Sequence, residues 1–256
     1  MGDDSARGAW FAEDEFWTAY APLLFDAKRW AEAPAVVDAI LALSGLADEP
    51  PAGLPVLDLC CGPGRHALEL SRRGYPVCGV DITAPYLEAA RESAQAEGLS
   101  AEFVQADARS FSRPGAFKLA LNLYTSFGYF DDPADDQAML ARLYESLAPQ
   151  GILIMEMVGK ETAARDFTEG EWFERDGKLV LTEFSVQGAW EGLKNRWIIQ
   201  DGAQRFDRSW VQRLYAASEL RALLLRTGYS QVRVYGSFEG QAYDQAARSL
   251  VMLAVK

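Results

Sequence analysis

Histidine is nearly absent from this chain of 256 residues: His66 stands alone, and cysteine is confined to Cys60, Cys61 and Cys78. A zinc site built from the usual His and Cys ligands is therefore not expected, and a Ser-His-Asp triad would have to use that one imidazole. No metal is expected. Neighbouring cysteines rarely pair with each other and no Cys-x-x-Cys occurs, so the thiols read as reduced, in a cytoplasmic protein. Positive charge is also short: 25 Lys and Arg stand against 37 Asp and Glu, a formal −12. Tracking a phosphate backbone needs clustered positive charge, so no nucleic-acid partner is expected. No apolar run approaches the ~18 residues that span a bilayer. Met1-Gly2-Asp3-Asp4 lacks a basic stretch leading into an apolar one, so neither a secretory signal nor a membrane partner is expected. Hydrophobic residues make up 49% and charged residues 24%, an ordinary globular balance that excludes wholesale disorder.

Residues 1–50 read as helical and rich in aromatics. Phe16, Tyr20, Leu23 and Leu24 give a partial helical stripe, with Pro22 expected to break it. Val36, Val37, Ile40, Leu41 and Leu43 give a second amphipathic helix, and Pro50-Pro51 with Gly53 punctuates the chain. From residue 55 the pattern changes. Apolar runs at Pro55–Cys60, Pro76–Val80, Ala101–Gln105, Phe117–Leu123 and Ile152–Val158 read as buried strands. Helical stripes at Arg65–Arg73, Thr83–Glu97 and Asp135–Leu147 alternate with them. Thr83 is placed as an N-cap and Gly98 as a C-terminal stop. Such alternation implies a parallel sheet with helices on both faces. Residues 178–215 break the rhythm as an antiparallel insertion, with Asp201-Gly202 as its hairpin turn. Ser218–Thr227 is again a helix, and Val232–Tyr235 and Leu250–Val255 read as a closing pair of strands. The divisions expected are 1–50 as a helical lid, 51–160 as a core, 161–215 as the insertion and 216–256 as the closing helix and strands, together one domain over 1–256.

The stretch that carries chemistry is Val56-Leu57-Asp58-Leu59-Cys60-Cys61-Gly62-Pro63-Gly64-Arg65-His66, a strand running through a glycine turn into a helix. Without Cβ atoms, Gly62 and Gly64 let a ligand approach the backbone. The helix start offers unpaired N–H groups to an anionic group. Alone this is ambiguous, because Gly62, Gly64 and Ala67 also fit a dinucleotide fingerprint, with Asp81 at a suitable distance. Asp58 and Asp107 weigh against that reading. Asp58, Asp81 and Asp107 fall at or near the ends of three successive strands, where open α/β sheets bind ligands. One glycine turn with carboxylates at successive strand ends describes a nucleoside site.

The chain here resembles the class I S-adenosylmethionine-dependent methyltransferases, strongly over about residues 52–160 and by element order over 216–256. LDLCCGPGRH is similar to the family's first motif, Gly79-Val80-Asp81 to its second, and Gln105-Ala106-Asp107-Ala108-Arg109 to its third. Leu147-Ala148-Pro149-Gln150-Gly151 is similar to the strand-five motif, with Gln150 in place of a glycine. Within the family, the layout is similar to the sugar N,N-dimethyltransferases and glycine-type N-methyltransferases. The resemblance implies a Rossmann-like sheet of seven mostly parallel strands, with an N-terminal helical lid and an antiparallel β insertion. It also implies methyl transfer from S-adenosylmethionine, leaving S-adenosylhomocysteine, to an N or O atom of a small-molecule acceptor. By it, Asp58, Gly62 and Gly64, with the Cys60 and Cys61 backbone, would cradle the methionine part. Asp81 would bind the ribose hydroxyls, Ile82 would pack on adenine, and Asp107 and Ala108 would meet the adenine edge. Asn122 would lie near the sulfonium.

In-line methyl transfer needs alignment more than side-chain chemistry, and a base only when the acceptor arrives protonated. The catalytic residue is accordingly left open, with His66, Tyr124 and Tyr129 as candidates. His66 in the first turn of a helix also reads as local packing, because the dipole there disfavours imidazolium. Tyr20 and the aromatics around it read as a lid over cofactor and acceptor, against the plainer reading of a helix packed on the sheet. The other functions compatible with the pattern are methylation of protein or RNA, and cofactor binding without turnover. A homodimer is compatible with it.

Overall fold

The computed structural model describes residues 10–256; residues 1–9, the start of the segment read as a lid, lie outside it. Two helices, α1 (Asp14–Leu24) and α2 (Ala27–Ser44), precede the first strand. Strands then alternate with helices, except that β4 follows β3 without one: β1 (Val56–Leu59), α3 (Arg65–Arg72), β2 (Val77–Asp81), α4 (Ala84–Glu97), β3 (Glu102–Gln105), β4 (Phe117–Asn122), α5 (Pro133–Ser146) and β5 (Leu147–Met157). After the short α6 (Lys160–Arg165) come β6 (Gly170–Arg175), β7 (Lys178–Gln187), β8 (Gly192–Asp201) and β9 (Gln204–Arg213). Then α7 (Ala217–Thr227), β10 (Gln231–Tyr235) and β11 (Leu250–Val255) close the chain.

Seven strands form one sheet in the order β10-β11-β5-β4-β1-β2-β3, and β6–β9 form a second, antiparallel meander. In the first sheet only β11 runs against its neighbours. Every residue of β1 is buried, as a parallel strand covered on both faces requires. Helices α2, α3 and α4 cover one face through Val37, Ile40, Leu68, Leu87 and Ala90. Helices α5 and α7 cover the other through Met139, Leu140, Leu143, Leu220 and Leu224. The chain adds β2 and β3 on one side of β1, then returns to lay β4 on the other side. A crevice therefore opens at the carboxyl ends of β1 and β4, the topological switch point where such sheets bind ligands.

Several expectations shift. Within the stretch 1–50 expected as a lid, the second half of α2 is core: Val37 and Ile40 are fully buried against the sheet. Pro22 does not break α1. It lies in the last turn, where its missing N–H removes a single bond, and Phe25 N–H still reaches Ala21 O at 2.8 Å. The hairpin turn is Gly202-Ala203, one residue later than read, since Asp201 still pairs with Gln204. Thr83 stands at the N-cap of α4, but its hydroxyl makes no cap bond. The strand β6 escaped the sequence reading because it is an edge strand, exposed along most of its length and without an alternating apolar stripe.

Candidate active site

A cavity of about 470 Å³ lies at that crevice. Its floor comes from the ends of β1, β2 and β4 and the loops after them; its roof comes from residues 10–25 and from Trp197 and Trp210 of the second sheet. Four of the chain's seven tryptophans, Trp10, Trp17, Trp197 and Trp210, line it. They pack edge-on or stacked with Phe16, Tyr20 and Tyr129; the Trp10 and Trp210 rings, for instance, lie 5.4 Å apart. Tyr20 is 1% exposed, and its hydroxyl donates to Trp197 O at 2.8 Å, which ties α1 to β8.

The floor is polar. Asp58 is buried, with one carboxylate oxygen lacking any partner among the described residues. Burial pushes its carboxyl up to about 7, against the pull of the Arg65 guanidinium and with help from Asp81. Asp81 joins two elements: Oδ2 accepts from Gly62 N–H at 2.8 Å and Oδ1 from Thr83 N–H at 2.9 Å. Burial raises its carboxyl, and those backbone donors oppose the shift. Each oxygen keeps acceptor capacity beyond these bonds. Asp107 is clasped by its own neighbour, Arg109, whose Nε and Nη2 reach the two carboxylate oxygens at 3.0 and 2.6 Å. The guanidinium holds the Asp107 carboxyl low.

Backbone strain gathers here. Cys60, Tyr124 and Thr125, none of them glycine, have φ of 62°, 55° and 60°. Such left-handed residues cluster where a site is held in one shape. Gly62 (φ +56°) needs its missing Cβ: an added carbon would stand 3.0 Å from the Phe25 ring, at the edge of the cavity. Gly64 (φ +81°) is different. Its Cβ would meet Ala90 and Phe103 at 3.0 Å, beneath the turn rather than in the cavity.

Of the residues singled out in the sequence, Tyr20, Asp58, Cys60, Cys61, Gly62, His66, Asp81, Ile82, Asp107, Ala108, Tyr124 and Tyr129 line the cavity. Gly64 and Asn122 do not. Asn122 is fully buried behind the floor, and its amide donates to Leu59 O at 3.1 Å and Ser126 O at 3.3 Å, pinning the end of β1 to the loop after β4. His66 stacks on Tyr124 with ring centroids 5.3 Å apart, and its Nε2 has no partner among the described residues. Burial, reinforced by Arg65, drops its pKa to about 3, so the imidazole is neutral. Burial raises the phenols of Tyr124 and Tyr129 and the thiols of Cys60 and Cys61, so all four stay protonated near neutral pH.

Sequence reasoning missed Arg29, Arg65 and Glu156, and left the stretch Trp172–Trp210 open between substrate cover and dimer surface; Arg29, Arg65, Glu156, Trp197 and Trp210 all line the cavity. Arg65 lays its guanidinium 4.0 Å from the Tyr124 ring centroid and donates to Arg29 O at 2.9 Å. Glu156 accepts from Tyr124 N–H at 2.9 Å and fixes that strained loop. A lone acid inside the apolar run Ile152–Val158 was the available signal for Glu156. The two tryptophans carried none, because their placement depends on how the second sheet folds over the first.

Residues 56–151 match a family described as a methyltransferase domain. The chain is 31% identical to the demethylmenaquinone methyltransferase of Thermus thermophilus over 183 residues, which cover 68% of this chain and 74% of that protein. It belongs to the S-adenosylmethionine-dependent methyltransferases. The family fold is matched across nearly the whole chain. An S-adenosylmethionine-dependent methyltransferase from Clostridium acetobutylicum superposes with a TM-score of 0.75 at 15% identity, over 94% of this chain and 98% of that one. The S-adenosylmethionine-bound amino pentose methyltransferase CalS10 from Micromonospora echinaspora superposes with a TM-score of 0.66 at 21% identity, over 100% and 99%. The residues of this methyltransferase fit the cofactor. The unpartnered buried Asp58 oxygen, the glycine turn open at Gly62 and the spare acceptor capacity of Asp81 suit a ligand with ammonium and hydroxyl donors.

Proposed function

We propose that this methyltransferase acts on an N or O atom of a small molecule. The observation that carries this reading is the roof. Aromatic side chains from residues 10–25 and from the second sheet close over the crevice, leaving a cavity sized for small ligands rather than an open groove for a polymer. The formal charge of −12 supports it, because it disfavours a polyanionic acceptor.

In this reading Asp58 and the Cys60–Gly62 backbone hold the methionine part of the cofactor, with Arg29 and Arg65 supplying positive charge to its carboxylate. Asp81 holds the ribose hydroxyls, Ile82 packs on adenine, and Asp107 and Ala108 meet its edge. Gly64 and Asn122 act from behind, by shaping the turn and the loop. Tyr20 and the roof aromatics exclude water. The bound cofactor supplies a methyl group on a sulfonium, an electrophile with its own leaving group. The chain's part is to orient the acceptor and keep the cavity dry. His66, with a pKa near 3, is too weak a base to take a proton from an acceptor at neutral pH. A neutral amine needs no base. Residues 1–256 then work as one domain, since the first helix, the core and the insertion all line one cavity. Three unpaired cysteines support a cytoplasmic setting, and a homodimer fits this reading without being required by it.

The test is release of S-adenosylhomocysteine from S-adenosylmethionine with a panel of amino sugars, amino acids, phenols and alcohols, beside bulk tRNA and peptides. Turnover with a small molecule supports the reading. Turnover confined to tRNA or peptide overturns it, as does cofactor binding with no turnover across the panel.

A further inference from the structure

Arg109 does more than neutralise Asp107. Besides the two bonds to that carboxylate, its Nη1 reaches Asp135 Oδ2 at 2.8 Å, at the start of α5. Its guanidinium carbon lies 5.4 Å from the Phe11 ring centroid and 4.8 Å from that of Phe130. The two rings meet edge to face at 5.0 Å. Phe11 belongs to the roof, and its carbonyl accepts from Trp17 Nε1 at 2.8 Å, so it is fastened to α1. Phe130 belongs to the loop after β4 and lines the cavity. One planar cation thus touches three parts of the site: the carboxylate after β3, the roof and the loop after β4. Arginine suits this place because its plane can pair bidentately along its edge while its faces meet aromatic rings; the lysine ammonium, a point charge without a plane, cannot do both at once.

We propose that Arg109 is a positioning residue that couples occupancy of the adenine side to closure of the roof. This rests on the assignment of Asp107 to the adenine edge. A ligand that fixes the Asp107 carboxylate fixes the guanidinium clasped to it, and with it the platform on which Phe11 and Phe130 rest. Asp107 itself does not depend on the Arg109 side chain for its placement. The Arg109 backbone N–H donates to Asp107 Oδ1 at 2.8 Å, a bond that does not involve that side chain. By reciprocity, losing the coupling lowers affinity only by the factor by which the ligand slows exchange in the roof, and it leaves the direct bonds to Asp107 in place.

The experiment uses the full chain with S-adenosylhomocysteine as the probe, in wild type, Arg109→Met and Arg109→Lys. Calorimetry gives the affinity, and amide exchange read by mass spectrometry gives protection over residues 10–24. In wild type, the ligand slows exchange over that stretch. Both variants bind the ligand within about threefold of wild type, a difference below 1 kcal/mol, and both lose the ligand-dependent slowing. A purely structural role would instead speed exchange equally with and without ligand. The proposal is overturned if either variant shows the wild-type slowing, if free and bound variants differ from wild type by the same amount, or if ligand-bound wild type shows no slowing. If wild type fails to bind the probe at all, the cofactor assignment of Asp107 falls first and the coupling falls with it.

Discussion

Gly64 holds φ +81° with its Cα turned toward Ala90 and Phe103, so a side chain there collides with the packing between α3, α4 and β3. The sequence pattern reads as room for a ligand at this position. The structure points to the fold instead. Gly64→Val is expected to cost roughly 2–5 kcal/mol through backbone strain and overpacking, with loss of cofactor binding following from misplacement of the turn. Thermal unfolding checks this; a melting temperature equal to wild type would contradict it. Gln150 presents the opposite case. It stands where the family pattern carries glycine, yet it keeps the left-handed φ of 62° that glycine would adopt freely. Gln150→Gly should therefore stabilise the protein by roughly 0.5–1 kcal/mol, a gain of about 2 °C in melting temperature for a chain of this size. His66 carries a pH signature. Its pKa is depressed from 6.5 to about 3 in the folded state, so the unfolded chain takes up its proton first. The stability contributed by a neutral, buried His66 is present above pH 6.5 and is lost as the pH falls toward 3. Asp58, raised to about 7, works in the opposite direction over part of that window, and it does so equally in a His66 variant. The stability advantage of wild type over His66→Phe should thus shrink by about 2–3 kcal/mol between pH ~6.5 and ~4.5. Melting curves that stay parallel across this range would contradict the burial of a neutral imidazole.

Among the elements, α1 and the turn before it form the part of the site with the fewest ties to the main sheet. They are held by aromatic packing, by the Tyr20 bond to Trp197 O and by the bond from the Tyr86 hydroxyl to Trp17 O at 2.6 Å. Local opening free energy follows such ties, so residues 10–24 should exchange amides faster than α2, whose Val37 and Ile40 are fully buried in the sheet-covering core. Exchange in α1 as slow as in α2 would make α1 a fixed wall. Legibility in the sequence follows the same division. Strands β1, β2 and β4 and the second half of β5 were readable because they are short, mostly apolar runs buried nearly throughout. The glycine turn and Asp81 were readable because ligand approach and strand-end chemistry restrict residue choice locally. The roof was readable only as a surplus of aromatics. Which of them face the cavity depends on the antiparallel sheet, whose edge strand β6 has no apolar period of its own. The clasp of Arg109 on Asp107 was likewise out of reach of spacing alone, since nothing in Gln105-Ala106-Asp107-Ala108-Arg109 tells where the guanidinium turns.

At the scale of the whole molecule, three separate stretches of chain converge on one cavity: the N-terminal aromatics, the carboxyl ends of the parallel strands and the second sheet. The core supplies the polar floor, and the additions supply an apolar cover. Family membership rests on the sequence match and the fold, whereas the proposed use of this cavity for the cofactor rests on the floor, and on Asp81 above all. Its carboxylate is the group that joins the glycine turn to the start of α4 while keeping acceptor capacity toward the cavity. The direct measurement is calorimetric titration of wild type and Asp81→Ala with S-adenosylhomocysteine, on protein whose folding is checked by its melting transition. The predicted result is a loss of about 1.5–3 kcal/mol, or roughly ten- to two-hundredfold in Kd, the scale of hydrogen bonds to a charged acceptor. An Asp81→Ala protein that is folded and binds the ligand as tightly as wild type would contradict the assignment of this cavity.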